Sequence, residues 1–169
     1  MSQDQKIIKK TGNDAHAYET TYHGCAQCVL KALQENLDLG DDLTFKAASA
    51  LAGGMARMGE ACGSLLGGVL AISLAFGRDR LEVTSESPAY MRAHKLAGEL
   101  AERFREELGG IRCWDVQTTL FGRSFDLNNP SEAQAFVEAG GYEKCPEVAR
   151  KAAELAAEII LREKEAGLE

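Results

Sequence analysis

Positive charge is in short supply in this chain, and no stretch of it stays apolar for long. Lysine and arginine number 19 against 26 aspartates and glutamates, giving a formal net charge of −7 and a pI near 5.1. So acidic a chain lacks the electrostatic footprint that phosphate backbones require, which argues against nucleic acid as a partner and equally against an anionic membrane surface. The longest weakly polar run covers 63–76. A spanning helix needs roughly 20 apolar residues, and the glycines and serines in this run would face lipid poorly, so no membrane is expected. The N-terminus has no basic stretch followed by an apolar one, so no secretory signal is expected and the default compartment is the cytoplasm. Only three prolines occur, and no linker, low-complexity tract or internal repeat interrupts the chain. Its 169 residues, 45% of them hydrophobic, suit a single domain over 1–169 with a core of its own. A catalytic triad, a P-loop and a dinucleotide fingerprint are all missing. Gly63-Ser64-Leu65-Leu66-Gly67-Gly68 is glycine-rich but has neither the strand nor the lysine that phosphate loops use.

What is present is helical patterning punctuated by glycine pairs, at Gly53-Gly54, Gly67-Gly68, Gly109-Gly110 and Gly140-Gly141. A helix is expected over 14–22. A second starts near Gly24 and runs through Val29, Leu30, Leu33 and Leu37 to a stop at Gly40. Asp41 and Asp42 offer caps for a short helix through Phe45, Ala48 and Leu51. The stretch 61–76 is apolar all round, as a fully buried helix would be, and Gly77 closes it. Ser87 and Pro88 open a long helix that carries Ala93, Leu96, Ala97, Leu100, Phe104 and Leu108 on one face. Its stretch 99–107, rich in glutamate and arginine, reads as a solvated face. In the last helix Cys145 takes the cap position and Pro146 the first turn, with Val148, Ala152, Leu155 and Ile159 facing inward. The region 111–129 reads as irregular. Alternating strands are not evident, so the expectation is an all-α bundle of about five to six helices with a long irregular loop before the last ones.

Five cysteines, Cys25, Cys28, Cys62, Cys113 and Cys145, are an odd number in a chain long enough to fold without staples. In a reducing compartment they read as metal-binding, catalytic or simply buried. Cys25 and Cys28 share a helix face, yet a C-x-x-C of the thioredoxin kind needs a strand and a parallel sheet around it. Cys28, beside Val29 and Leu30, reads more readily as a small buried hydrophobe than as a functional thiol. Cys62 falls near a predicted helix start, where unpaired N–H groups favour a thiolate and can lower its pKa well below about 8.5. Gly63 and Gly67 after it would let a cofactor or another backbone come close, or would serve helix packing alone. Cys113 follows a glycine pair and precedes Trp114, which reads as a shield for a cofactor or as core. His16, His23 and His94 are further metal-ligand types, with packed or solvated side chains as the bland alternative.

The succession Gly24-Cys25-Ala26-Gln27, Gly53-Gly54-Met55, Cys62-Gly63-Ser64-Leu65-Leu66-Gly67, then isolated Cys113 and Cys145, resembles the redox-active C-GCAxxG-C-C family. The resemblance covers roughly 18–145, with Ser64 where the motif has Ala and with Cys28 outside the pattern. It implies redox activity of Cys25, Cys62, Cys113 and Cys145. A similar four-cysteine domain in split-Soret-type cytochromes is associated with an iron–sulfur centre, which points to a [2Fe–2S] or [4Fe–4S] cluster here. Their haem does not carry over, because Val29 follows Cys28 and no C-x-x-C-H motif exists. The leading expectation is therefore a redox protein whose four cysteines hold an iron–sulfur cluster for electron transfer or redox sensing, working with a redox partner protein.

Two alternatives stay open. In one, metal-free thiol–disulfide chemistry is led by Cys62 and Cys25, with Cys28 able to exchange a disulfide with Cys25. The other is a structural zinc site made of four cysteines, or a binding module with inert cysteines. A homodimer is expected from Gly67, Gly68 and Ala71, whose small side chains would permit close helix contact.

Overall fold

A computed structural model describes residues 1–167. Among them are eight α-helices and no named strand, so the class is all-α with more helices than expected. They are α1 (Gln3–Tyr22), α2 (Cys25–Leu37), α3 (Asp42–Ala47), α4 (Gly63–Phe76), α5 (Pro88–Leu108), α6 (Cys113–Phe121), α7 (Pro130–Glu138) and α8 (Gly141–Ala166). Short 3-10 turns cover Ala48–Leu51 and Thr84–Glu86.

The helix boundaries follow local chemistry. A capping box starts α1, well before the expected 14: Gln5 N–H donates to Ser2 Oγ at 3.2 Å and Ser2 N–H to Gln5 Oε1 at 2.8 Å. Between α1 and α2 the chain reverses through two left-handed residues, His23 (φ 57°) and Gly24 (φ 100°). The bounds of α5 are those expected: Ser87 caps it, Pro88 opens it, and Gly109 at φ 82° ends it.

Three expectations need correction. The supposed loop 111–129 contains α6, and α7 follows directly, capped by Asn129 Oδ1 accepting from Ser131 N–H at 3.0 Å. Cys145 does not cap α8, which begins earlier at Gly141 and leaves Pro146 inside the helix, unable to donate to the carbonyl of Tyr142. Finally, α4 begins at Gly63 and is not buried along its whole length, since Leu74 in its last turn is exposed.

At the centre, α4 packs against α2, α5 and α8, while α1 lies along α8 and α2. Leu30, Leu33, Ile72, Leu100, Phe104, Ile159 and Ile160 fill the space between them. The close approach of α2 to α4 depends on Gly67, where a Cβ would stand 2.6 Å from the Ala26 carbonyl oxygen and 2.9 Å from Val29 Cβ. At Gly68 a Cβ would meet Leu100 Cδ2 at 2.8 Å and Ala156 Cβ at 3.2 Å. The small residues that suggested a dimer seam, Ala71 included, are thus packed against the chain's own helices. Among the described residues no helix is long and apolar enough to cross a membrane.

This packing yields a paired prediction. Gly67→Ala forces a methyl onto the backbone of α2 and should lower stability by about 1–2 kcal/mol, the overpacking cost exceeding the gain in helix propensity. Gly98→Ala, on the exposed side of α5 with nothing within 4 Å of the new Cβ, should raise stability by about 1 kcal/mol. Denaturant unfolding of the two variants checks both signs.

Candidate four-cysteine site

Four elements deliver the four expected cysteines to one place. Cys25 is the first residue of α2, Cys62 is the N-cap of α4, Cys113 is the first residue of α6, and Cys145 lies in the second turn of α8. All four line a single cavity of about 200 Å³. Every pair among them is close enough for charge on one sulfur to be felt by the other. Cys28 does not line this cavity. It is buried behind it, its thiol donating to the His23 carbonyl at 3.6 Å, and it borders a separate opening walled by Tyr18, Tyr22 and Phe45.

A short backbone pairing holds Cys62 beside Cys113. Cys62 N–H donates to Ile111 O at 2.8 Å and Cys113 N–H to Glu60 O at 2.7 Å, flanking an isolated antiparallel bridge between Ala61 and Arg112. Trp114 extends the pairing by donating its N–H to Gly59 O at 3.2 Å. Its ring occupies the space a Cβ at Gly59 would need, so Trp114 packs on this junction and does not line the cavity. Cys25 reaches the group because of Gly63, where a Cβ would stand 2.4 Å from Cys25 Sγ. Neither Gly63 nor Gly67 lines the cavity. The close approaches they permit are those of Cys25 and of the α2 backbone.

One wall of the cavity is strained. From Gly53 to Arg57 five successive residues have positive φ, including Met55 (58°), Ala56 (50°) and Arg57 (62°). Each non-glycine residue in this region costs roughly 1–2 kcal/mol. The turn is held by Ala56 N–H to Ala50 O at 2.7 Å, Gly59 N–H to Gly53 O at 3.1 Å, and Asn128 Nδ2 to Ala56 O at 3.2 Å. The backbone N–H groups of Gly53 and Ala26 lie on the side of Cys25 and favour its thiolate. The N–H groups of Leu65 and Ser64 and the Ser64 hydroxyl likewise favour the Cys62 thiolate. Gln117 Nε2 donates to Cys113 Sγ at 3.3 Å while its Oε1 accepts from Phe125 N–H at 2.7 Å. Three of the four sulfurs therefore have polar groups nearby that favour the thiolate, and Cys113 has a direct donor.

These donors do not make the bare thiols acidic. Burial, aided by the neighbouring sulfurs, pushes Cys25, Cys62 and Cys113 up to about 12, and it moves Cys28 and Cys145 upward as well. The low-pKa thiolate expected at Cys62 is thus overturned: the start of α4 does supply its N–H groups, but desolvation outweighs them. Among the described residues, no three or more His, Cys, Asp or Glu side chains are arranged to hold a single metal ion.

The structure adds two side chains that the sequence did not single out. Gln117 sits one helical turn after Cys113 and is 2% exposed. Glu19 lines the cavity at 6% exposure, and its Oε2 has no hydrogen-bond partner. Burial raises its pKa to about 7, against a weaker opposing hydrogen bond with Cys28. A signal for it existed: Thr11, Gly12, Ala15 and Glu19 follow helical spacing on the buried face of α1. Of the histidines only His23 reaches the cavity, its ring stacked on Tyr142 with centroids 3.8 Å apart. His16 pairs with Glu147 at 3.0 Å, and His94 Nδ1 lies 3.3 Å from the Tyr90 carbonyl, so neither joins the site.

The family model described as "Putative redox-active protein (C_GCAxxG_C_C)" matches residues 23–159, a span containing all four cavity cysteines. The chain belongs to the C_GCAxxG_C_C family. No curated protein and no solved structure matches it. Redox activity is thus the family's assigned character, and the cavity is where this member gathers its thiols.

Glu19 yields a pH prediction. Its folded pKa lies above the 4.5 of a free glutamate, so the native state binds the extra proton. Its burial is harmless below about 4.5, and stability falls as pH rises toward about 7. Glu19→Gln should leave stability near pH 4 unchanged and raise it by about 2–3 kcal/mol at pH 8. Urea unfolding of both proteins at the two pH values tests this.

Proposed function

We propose that Cys25, Cys62, Cys113 and Cys145 hold an iron–sulfur cluster and that the protein carries electrons to or from a redox partner protein, in the cytoplasm. The observation that carries this reading is the convergence of four thiols from four helices on one mainly apolar cavity, with the Gln117 amide donating to one of the sulfurs. As free thiols, side chains so buried stay protonated at neutral pH. Bound to iron they are thiolates, and the metal supplies positive charge directly at the sulfurs. Four sulfurs spread around about 200 Å³ suit a core of several irons better than one zinc ion, whose ligands must crowd to about 2.3 Å from a single centre.

When bound, the cluster supplies one-electron chemistry. The protein's own part is to hold and shield it. Gly53, Ala26, Ser64 and Leu65 N–H groups and the Gln117 amide stabilise negative charge on the sulfurs, which favours the reduced state. Val116, Leu127, Phe136 and Val148 exclude water from the site. Metal-free chemistry led by Cys62 fits less well, because Cys62 is buried whereas Cys25 is only half-buried and is the more accessible thiol.

Iron, acid-labile sulfide and visible absorption, measured on protein purified without oxygen, test the reading. Equal iron and sulfide with broad visible absorption are expected. Cys25→Ala, Cys62→Ala, Cys113→Ala and Cys145→Ala should each reduce the bound iron at least ten-fold, and Cys28→Ala should leave it unchanged. Iron retained in Cys62→Ala, or lost in a normally helical Cys28→Ala, would show that the ligand set is wrong.

A further inference from the structure

Cys28 stands apart from the four-cysteine cavity, yet it is neither isolated nor a plain core residue. It shares the first turn of α2 with Cys25, and the two sulfurs are near enough to feel each other's charge. Residues three apart on a helix are neighbours, inside the roughly 4.4–6.8 Å Cα separation that a disulfide tolerates. Cys25 faces the cavity, whereas Cys28 is 5% exposed. Beside them is Glu19, whose carboxyl is within hydrogen-bonding reach of the Cys28 thiol and whose Oε2 is buried without a partner. A family fold that needs only four cysteines has no evident use for a fifth thiol and a carboxylate hidden next to it.

We propose that Cys25 and Cys28, with Glu19 as the proton acceptor for Cys28, form a dithiol–disulfide couple that oxidises in the metal-free chain at the expense of a small-molecule disulfide. The half-buried Cys25 first gives its thiol proton to solvent, and its thiolate attacks one sulfur of the disulfide R–S–S–R. The Cys25–S bond forms, the R–S–S–R bond breaks, and the departing RS⁻ takes a proton from solvent and leaves as RSH. The Glu19 carboxylate then takes the Cys28 proton, and Cys28 Sγ attacks Cys25 Sγ. The Cys25–Cys28 bond forms, the bond from Cys25 to the mixed-disulfide sulfur breaks, and the second RSH leaves with the proton held by Glu19. The dithiol has given up two electrons and two protons, and R–S–S–R has become two thiols. Closing this bond takes Cys25 out of the four-thiol set, so a thiol oxidant and iron would compete for the same sulfur. The couple does not depend on the cluster reading and can stand if iron proves not to bind.

The test exploits the position of both cysteines between Lys10 and Lys31, which places them in one tryptic peptide, 11–31. The full-length chain, stripped of metal with a chelator, is exposed to hydroxyethyl disulfide, alkylated and digested. Peptide 11–31 is expected two hydrogens lighter and unalkylated. Cys28→Ala should trap a hydroxyethylthiol adduct on Cys25. Glu19→Gln should form that adduct at the wild-type rate but resolve it at least ten-fold more slowly. Alkylation of both cysteines in wild-type 11–31, or pairing of Cys25 with Cys62, Cys113 or Cys145, overturns the couple. Wild-type resolution in Glu19→Gln overturns the role of Glu19. Iron binding is measured separately, so the two readings can fail independently.

Discussion

The backbone pairing of 59–62 with 111–114 is the contact on which the site depends. It consists of little more than the hydrogen bonds of Cys62, Cys113 and Trp114 to Ile111, Glu60 and Gly59. Those bonds fix where α4 and α6 begin, and hence where two of the thiols point. The other constraints are steric. Gly63 lets Cys25 Sγ into the space a methyl group would fill, and Gly67 lets α2 lie on α4 closely enough for the first turn of α2 to reach the cavity. Gly59 gives the Trp114 ring its seat on the junction. Three missing side chains and one pair of backbone segments thus bring together residues that are far apart in the chain.

The site also concentrates energetic cost. A run of left-handed residues from Gly53 to Arg57, a buried carboxyl at Glu19, and four half-buried or buried thiols lie within or against the cavity, with the buried Cys28 behind it. None of these would be expected from stability alone, and strained or desolvated groups cluster where binding or chemistry occurs. The rest of the bundle offsets them. The packing of α2, α4, α5 and α8 around Leu30, Ile72, Leu100, Phe104 and Ile159 is dense and apolar. A metal centre would relieve the desolvation of the thiols by giving their charge a partner.

Much of this was legible in the sequence, for identifiable reasons. The bounds of α5 were readable because Ser87, Pro88 and Gly109 are strong local signals. The cysteines could be singled out because their order and spacing match the C_GCAxxG_C_C pattern. Their convergence could not be deduced, since it rests on pairings between distant segments. The helix α6 was hidden because its N-cap is Arg112 and its cap contact comes from the Asp115 carboxylate accepting from the Arg112 N–H, a weaker signal than a serine or asparagine cap. Pro146 obscured the true start of α8, since proline near a helix start usually marks the first turn. The acidity expected of Cys62 failed because a helix start supplies N–H groups whether or not water reaches them, and here desolvation dominates.

The central claim is that Cys25, Cys62, Cys113 and Cys145 act as one unit. The most direct test is differential alkylation of oxygen-free protein, read cysteine by cysteine by mass spectrometry before and after iron is removed with a chelator. The account predicts that these four thiols are protected together and released together, with Cys28 following a different course. Independent protection of the four, or no change at any of them when iron is removed, would contradict it.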